Sequence, residues 1–269
     1  MLIVPSPKDK PLLATTEPPA FEIVNAVSVS NLLLVCDHAS NRVPSSLEFL
    51  GLTAAQLDDH IGWDPGAAQV ARILAENLHA PLALSNYSRL VIDCNRPLSS
   101  AELIPEQSAG VIIPGNQMLS PQQQQERINQ LFWPYHQAID QLIDARLSAA
   151  AQFHPRVLLS IHSFTPSLHG ELRPWNIGVA ARHDQRFAQL LFNVLGEAAD
   201  INVGFNQPYN IDDNFDYTLP VQGEGRGLLS AMIEIRQDGL KTYAQVMDWA
   251  NRLTRAYLQI EPQLIGLLA

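Results

Sequence analysis

The chain has 269 residues and a hydrophobic fraction of 46%, enough apolar surface for a substantial core, which excludes global disorder. Its formal net charge is -10, and this acidic excess disfavours nucleic acid as a partner, because neutralising phosphates requires clustered Lys and Arg. An overall negative charge still permits a local cationic pocket for a small carboxylate.

The first 28 residues are rich in Pro and Thr, and their low helix propensity predicts an extended N-terminal arm over 1–28, followed by a single domain over 29–269. No apolar signal region and no run of about 20 apolar residues is present, so we expect neither a signal peptide nor a membrane span. The two cysteines, Cys36 and Cys94, lie inside apolar runs. This usage fits a reducing compartment, and we expect a cytoplasmic protein.

Apolar runs and apolar periodicity alternate along the chain. Continuous apolar runs predict buried strands at 32–36, 81–85, 89–93, 157–161, 175–181 and 228–235. Helical spacing predicts helices over 64–79, 121–151, 184–195 and 242–264, with a kink or break at Pro134, and 99–118 has the composition of a long surface loop. This alternation predicts an α/β fold with a mostly parallel sheet and helices on both faces.

Polar side chains follow several of these strands. His38 follows the first strand, Asn95 and Arg96 follow the third, and His162 and Ser163 follow the fourth. In open α/β sheets the reactive groups gather beyond the carboxyl ends of the strands. We therefore expect these residues to meet at one edge of the sheet.

Imidazole and carboxylate together form a usual ligand set for zinc, and His38 and His162 are the candidate imidazoles. A structural alternative is that each histidine is a hydrogen-bonded core residue, and no compact HExxH pattern decides between the two. Asp64 is either the carboxylate ligand or a helix cap ahead of Pro65. Asp37 and Asn41 compete for the ligand position, and Asp37 has the further option of orienting an imidazole.

Glu234 stands near the end of the last predicted strand and is the candidate general base, because burial raises a carboxylate pKa towards neutrality. Its alternative is a buried salt bridge with Arg236. Arg89 and Arg96 are candidate clamps for a substrate carboxylate, or structural ion-pair partners of Asp93 and Glu102.

Two other enzyme classes are disfavoured by missing motifs. The chain has neither the GxSxG turn of serine hydrolases nor a Walker A sequence. The glycine-rich stretch over 223–227 precedes a strand rather than a helix, so it does not suit a phosphate. We expect it to be a mobile loop at the rim of the pocket.

Six segments together resemble the N-formylglutamate amidohydrolase family. They are CDHASNRVP, HIGWDPGA, YSRLVIDCNRP, IHSF, NIGV and GRGLLSAMIEIRQD, and they extend from about Leu32 to Asp238. The resemblance implies a mixed sheet like that of zinc carboxypeptidases and aspartoacylases, with one zinc ion. It implies hydrolysis of an N-formyl or other N-acyl amino acid, a small-molecule substrate.

The resemblance also assigns roles to particular residues. His38 and His162 match zinc ligands, Glu234 matches the general base, and the pair Asn95 and Arg96 matches the group that binds the substrate carboxylate. Arg89 is expected to add an anion contact and to assist catalysis, and Ser163 to contact substrate. Asn41 stands where carboxypeptidases have a glutamate ligand, so the resemblance suggests Asp64 as the third ligand. Zinc suits this set, although Mn, Fe or Co also bind such sites.

Three alternatives remain at this point. The chain is a deacylase or carboxypeptidase for another N-acyl amino acid, a noncatalytic carboxylate-binding protein on the same scaffold, or a nucleotide-binding protein that uses the 223–227 stretch. The departure at Asn41 keeps the second alternative open.

Overall fold

The computed structural model describes residues 11–148, 157–168 and 170–267. Its main sheet has seven strands. They are β1 (Phe21–Val24), β2 (Leu32–Cys36), β3 (Leu82–Ser85), β6 (Val157–Phe164), β9 (Ile177–Ala180), β10 (Val203–Phe205) and β11 (Leu229–Arg236). Two small hairpins pair β4 (Gln107–Ser108) with β5 (Val111–Ile112), and β7 (Ser167–Leu168) with β8 (Glu171–Leu172).

The strand order is β1-β3-β2-β6-β11-β9-β10. The four central strands β3, β2, β6 and β11 are parallel to one another, and β9 is parallel to β10. The pairs β1–β3 and β11–β9 are antiparallel. The expected α/β class with a mixed, mostly parallel sheet is therefore confirmed.

Helices cover both faces of this sheet. They are α1 (Ala54–Asp58), α2 (Ala67–Asn77), α3 (Pro121–Arg127), α4 (Trp133–Ser148), α5 (Arg186–Gly196) and α6 (Tyr243–Leu267). Side chains alternate along β2, so that Leu32 and Leu34 pack in one cluster with α2, α5 and α6, while Leu33 and Val35 pack with α4. Among the described residues, no helix has the length and apolar character needed to cross a membrane.

The stretch 89–93 is not a strand, so that prediction is wrong. Its apolar residues Leu90, Val91 and Ile92 are buried, but they pack in a separate cluster under the loops. The backbone turns there, with Val91 N–H donating to the Ser88 carbonyl at 2.9 Å. A short apolar run indicates that a segment is buried, but burial alone does not distinguish a strand from a packed turn.

The helix predicted over 121–151 is interrupted, as its proline suggested. A capping box at Ser120 begins α3, a π-helical turn over Ile128–Phe132 follows, and α4 begins one residue before Pro134. Proline lacks the N–H that a regular helix would need, and a wider turn accommodates this. Residues 149–151 lie outside the described part.

The predicted arm over 1–28 contributes to the sheet. Its strand β1 pairs with β3, and Leu12 and Ala20 are buried in the cluster beneath the loops. The described part of this segment thus packs against the residues that follow position 28, while residues 1–10 lie outside the described part. The single domain over 29–269 stays a prediction.

The glycine-rich stretch over 223–227 is part of two short helical turns, Thr218–Gly223 and Glu224–Arg226, and the expectation of a mobile loop is corrected. Arg226 ties the turns to α4 through ion pairs with Asp140, at 2.6 Å, and with Asp144. A Cβ on Gly223 would approach the Ser230 side chain within 2.7 Å, so this glycine allows close packing on β11.

Candidate metal centre and substrate cavity

Three strands bring the predicted site together at one edge of the sheet. His38 lies two residues after β2, and His162 lies in β6 directly opposite Glu234 of β11. Strand β6 continues to Phe164, so His162 and Ser163 lie inside the strand and not after it. Parallel pairing places these side chains side by side even though they are far apart in sequence.

Two imidazole nitrogens converge on one carboxylate oxygen. Asp64 Oδ2 lies 3.3 Å from His38 Nδ1 and 2.8 Å from His162 Nδ1. One donor atom from each of the three residues lies within 4.8 Å of the others, and all three side chains are buried. Two imidazoles and a carboxylate at this separation suit a divalent ion such as zinc, so the cluster could hold a metal.

Asp64 takes this position because the chain turns sharply before α2. Its N–H donates to the His38 carbonyl at 3.0 Å, and helix α2 begins after Gly66, which has a φ of +83°. The Asp64 side chain makes no cap to α2, so the helix-cap alternative is wrong. Asn41, the other candidate, turns away and donates to Asp58 at 2.6 Å.

The far nitrogen of each imidazole contacts another aspartate. His38 Nε2 lies 2.7 Å from Asp93, and His162 Nε2 lies 3.3 Å from Asp37. A carboxylate behind an imidazole fixes its orientation and makes the nitrogen on the other side a better metal donor. The option that Asp37 orients an imidazole therefore agrees with the geometry, and its partner is His162.

The two supporting aspartates differ in their own partners. Asp93 is paired with Arg89 at 2.8 Å. Asp37 accepts hydrogen bonds from neutral hydroxyls: Tyr135 at 2.9 Å, Thr218 at 2.7 Å and Ser160 at 3.2 Å. The role of Asp93 was missed from the sequence, where it had been considered only as a partner for arginine.

Charge in the cluster is strongly stabilised. Burial opposes ionisation of Asp64, but the charges and hydrogen bonds of His38 and His162 outweigh it and hold the pKa of this carboxyl far below its usual range. For His162, burial favours the neutral ring, and its hydrogen bonds to Asp37 and Asp64 outweigh burial and raise the pKa. A bound cation would replace these protons as the positive partner of Asp64.

Glu234 is a buried carboxyl beside this cluster. The residue is only 6% exposed, and its Oε2 has no hydrogen-bond partner among the described residues. Burial raises the pKa of this carboxyl to about 7. The alternative salt bridge with Arg236 is contradicted, because that arginine pairs with Asp238 at 2.8 Å.

The predicted substrate-binding residues also have internal partners. Arg96 donates through Nε to Glu102 at 3.2 Å and through a terminal nitrogen to the Phe215 carbonyl at 2.6 Å. The Asn95 amide group accepts from the Thr218 N–H at 3.0 Å and donates to Asp216 at 3.1 Å. These two residues therefore tie the turn after Asp93 to the segment before β11.

Ser163 and Arg89 complete the predicted set. Ser163 Oγ donates to the Pro65 carbonyl at 3.0 Å, and its N–H donates to Asp64 at 3.3 Å. Arg89 pairs with Asp93 and lies 3.6 Å from Asp64, so the structural ion pair considered for it is present. Its catalytic role stays a prediction.

One cavity of about 410 Å³ joins all of these groups. Every predicted site residue lines it: His38, Asp64, Arg89, Asn95, Arg96, His162, Ser163 and Glu234. The lining also includes residues that the sequence did not single out as site residues, among them His60, Glu102, Tyr209, Asp212, Phe215 and Asp216. Most of these stand on irregular segments, where no periodicity identified them.

Comparison with known families agrees with this geometry. The family model for N-formylglutamate amidohydrolase matches residues 30–240. The chain belongs to the N-formylglutamate amidohydrolase family. Membership in this family places the chain among hydrolases that cleave amide bonds. No curated protein matches the chain.

Two crystal structures are similar to this member of the N-formylglutamate amidohydrolase family. A gene product of Agrobacterium tumefaciens is 36% identical with a TM-score of 0.86, and the alignment covers 93% of this chain and 99% of that one. The N-formylglutamate amidohydrolase of Ralstonia eutropha JMP134 is 17% identical with a TM-score of 0.67, covering 90% and 97%. The second likeness is one of fold.

Proposed function

We propose that the protein hydrolyses the amide bond of an N-formyl or other N-acyl amino acid, of which N-formylglutamate is the example that the family description names. The products are formate, or another acid, and a free amino acid. The observation that carries this proposal is the buried Glu234, whose Oε2 has no hydrogen-bond partner among the described residues, beside two imidazoles and a carboxylate that converge. That arrangement combines a cation-binding set with a base whose pKa is near neutral.

His38, Asp64 and His162 would hold one divalent ion, and zinc is favoured by the donors, with Mn, Fe or Co as other possible occupants. When bound, such an ion supplies positive charge that polarises a carbonyl group and makes water easier to deprotonate. Asp93 and Asp37 keep the two imidazoles in the orientation that points Nδ1 at the cluster.

Glu234 moves the proton. Its Oε2 takes a proton from the attacking water and returns it to the nitrogen of the leaving amine, so that the carboxyl ends the cycle ionised. A pKa raised by burial suits both steps, because the group is ionised often enough to accept and acidic enough to donate. Burial at the cavity wall supplies this shift.

Arg96 would anchor the amino-acid carboxylate, because its guanidinium lines the cavity and has donors beyond the two already engaged. Asn95 holds the Arg96 turn in place, and Ser163 lies beside His162 on the cavity wall. Arg89 adds positive charge close to Asp64, and this charge would stabilise the negative charge that develops on the carbonyl oxygen during attack. Together these contacts would place the scissile amide against Glu234.

Metal removal and restoration test this function. We expect chelation to abolish release of formate from N-formyl amino acids and zinc to restore it. His162→Ala should lose both bound zinc and turnover, while His60→Ala, which removes a cavity histidine outside the cluster, should keep the zinc. Turnover that survives complete metal removal would contradict the proposal.

Turnover of a panel of N-formyl, N-acetyl and peptide substrates distinguishes an N-formyl amino acid hydrolase from another deacylase or a carboxypeptidase. The noncatalytic alternative depended on Asn41 as a poor ligand. Asn41 instead donates to Asp58, and the contacts of Asp64 with His38 and His162 support Asp64 as the carboxylate ligand. No observation now favours that alternative.

A further inference from the structure

Part of the cavity lining stands on turns and loops and is rich in carboxylates. We call it the outer wall and define it as Arg96, Glu102, Asp212, Phe215 and Asp216, all of which line the cavity. Three of these five residues are acidic. Any group of the substrate that reaches this wall meets mostly negative charge.

The cavity offers little free positive charge to offset these carboxylates. Among its described lining residues, the arginines are Arg89 and Arg96, and no lysine contributes. Arg89 is engaged by Asp93 and Asp64. Arg96 is paired with Glu102 at 3.2 Å. Its remaining donors can therefore bind at most one carboxylate of the substrate.

A third arginine lies behind the cavity wall. The Arg173 guanidinium stacks on the Tyr209 ring, 4.8 Å from its centroid, and lies 5.7 Å from the Phe164 ring. Both rings line the cavity and Arg173 itself does not. Arg173 is only 8% exposed, and it donates to Thr165. In this position it gives a substrate carboxylate no direct contact.

An independent observation shows that the same cavity is built for a ligand. Glu234 is more than nine-tenths buried, lines the cavity and leaves Oε2 without a partner among the described residues. A buried polar atom of this kind costs stability unless a ligand or water supplies its hydrogen bond. The acidic outer wall therefore lines a cavity that a bound molecule completes.

We propose that this cavity selects N-acyl amino acids that carry a single carboxylate, with a side chain that is neutral or cationic. A second carboxylate, as in N-formylglutamate, would reach the outer wall and be repelled by Glu102, Asp212 and Asp216. This inference rests on the proposed function and narrows its substrate class. It separates this chain from a hydrolase specialised for acidic amino acids.

N-formylglutamine and N-formylglutamate make the test, because they have nearly the same shape and differ in one charge. With the zinc-loaded enzyme at pH 8 and low ionic strength, we expect kcat/KM to be at least roughly tenfold higher for the glutamine compound. N-formylarginine should be hydrolysed at least as well as N-formylglutamine. An equal or higher kcat/KM for N-formylglutamate would overturn the inference.

Binding separates this inference from the proposed function. The same pair is titrated into zinc-loaded Glu234→Gln, in which turnover is not needed for a signal. Tighter binding of N-formylglutamine with no turnover by the wild type would retain the inference and reject the hydrolase. Tighter binding of N-formylglutamate, or no difference between the two, would reject the inference whatever the turnover.

Charge-neutral variants identify the residues responsible. Glu102→Gln and Asp212→Asn together should reduce the preference for the glutamine compound to roughly a third or less of its wild-type value. Glu106→Gln is the matched control, an exposed carboxylate on the same loop that does not line the cavity, and it should leave the preference unchanged. If Arg173→Met instead abolished a preference for N-formylglutamate, Arg173 would be the second carboxylate site and the inference would be wrong.

Discussion

The two sides of the cavity are built differently. We call His38, Asp64, His162 and Glu234 the inner wall, and all four are buried. His38, His162 and Glu234 stand at or near the ends of central strands, and Asp64 stands on the turn before α2. The outer wall stands on turns and loops, and Glu102, with a side chain 56% exposed, shows how open it is. The difference indicates that the sheet positions the reacting groups, while the loops determine which substrate reaches them.

The two walls also differ in how their charges are balanced. In the inner wall Asp64 is matched by imidazoles and arginine, and the buried Oε2 of Glu234 has no hydrogen-bond partner among the described residues. In the outer wall Asp216 is held by Asn95 and by the backbone N–H of Asp212, and burial raises its pKa. Changes in the inner wall should therefore affect chemistry and metal, and changes in the outer wall should affect substrate affinity.

The largest effect is expected at Glu234. Glu234→Gln keeps the shape of the inner wall but removes the proton acceptor, so kcat should fall by roughly 10²–10⁴-fold. Zinc content, measured by plasma mass spectrometry, should stay at one ion per chain, because the three candidate ligands remain. A variant that keeps activity within a factor of two would remove the assignment of the base.

Glu234→Gln should lower activity but raise the stability of the metal-free protein. Burial raises the pKa of Glu234 from 4.5 to about 7, so the folded state holds the proton more tightly than the unfolded state. The resulting cost is absent below about pH 4.5, grows as pH rises and is complete above about pH 7. Urea unfolding at pH 8 should show Glu234→Gln more stable by up to about 3 kcal/mol.

At pH 5 the same comparison should show a much smaller difference, because Glu234 is then largely protonated. If the Glu234→Gln variant is no more stable than the wild type at pH 8, this carboxylate is solvated or paired in solution. In the zinc-loaded enzyme the nearby cation lowers the pKa of this carboxyl, so the acidic limb of the activity profile, where kcat rises as the carboxyl loses its proton, should lie below pH 7.

The aspartates behind the two imidazoles should control metal affinity. Asp37→Asn removes the charge that contacts His162, and we expect zinc affinity to fall roughly 10–100-fold in a competition titration with a chelator. Thr218→Val removes one of the hydrogen bonds to Asp37 and should have a smaller effect in the same direction. Unchanged affinity in Asp37→Asn would show that this contact does not support the metal.

The smallest effect on chemistry is expected in the outer wall. Arg96→Met removes the proposed carboxylate anchor, so KM should rise about tenfold while kcat changes little, because binding is lost equally in the ground and transition states. Initial rates across a substrate series measure both parameters. A fall in kcat with constant KM would place Arg96 in the chemical step and weaken the contrast between the walls.

The inner wall could be predicted from the sequence because its groups follow apolar runs. His38, His162 and Glu234 stand at or near the ends of strands whose burial was evident from composition, and parallel strands end at one edge. Asp64 followed from the family resemblance, because Asp before Pro is equally typical of a helix cap. Its position depends on the turn before α2, which spacing alone does not define.

Apart from Arg96, the outer wall could not be predicted in the same way. Asp212 and Asp216 stand between β10 and β11 on a segment without periodicity. The position of this segment depends on long-range hydrogen bonds to Asn95. Asp93 contacts both His38 and Arg89. These contacts depend on the turn over 89–93, which its apolar sequence wrongly predicted to be a strand. Contacts between distant irregular segments leave no local pattern in the sequence.

The most direct test of the central claim is the position of a bound cation. Anomalous diffraction at the zinc edge, on crystals of zinc-loaded protein, should show a single strong peak at the inner wall. We expect it about 2.0–2.2 Å from Nδ1 of His38, from Nδ1 of His162 and from a carboxylate oxygen of Asp64. A peak bound by other residues, or an inner wall that takes up no zinc, would contradict the account.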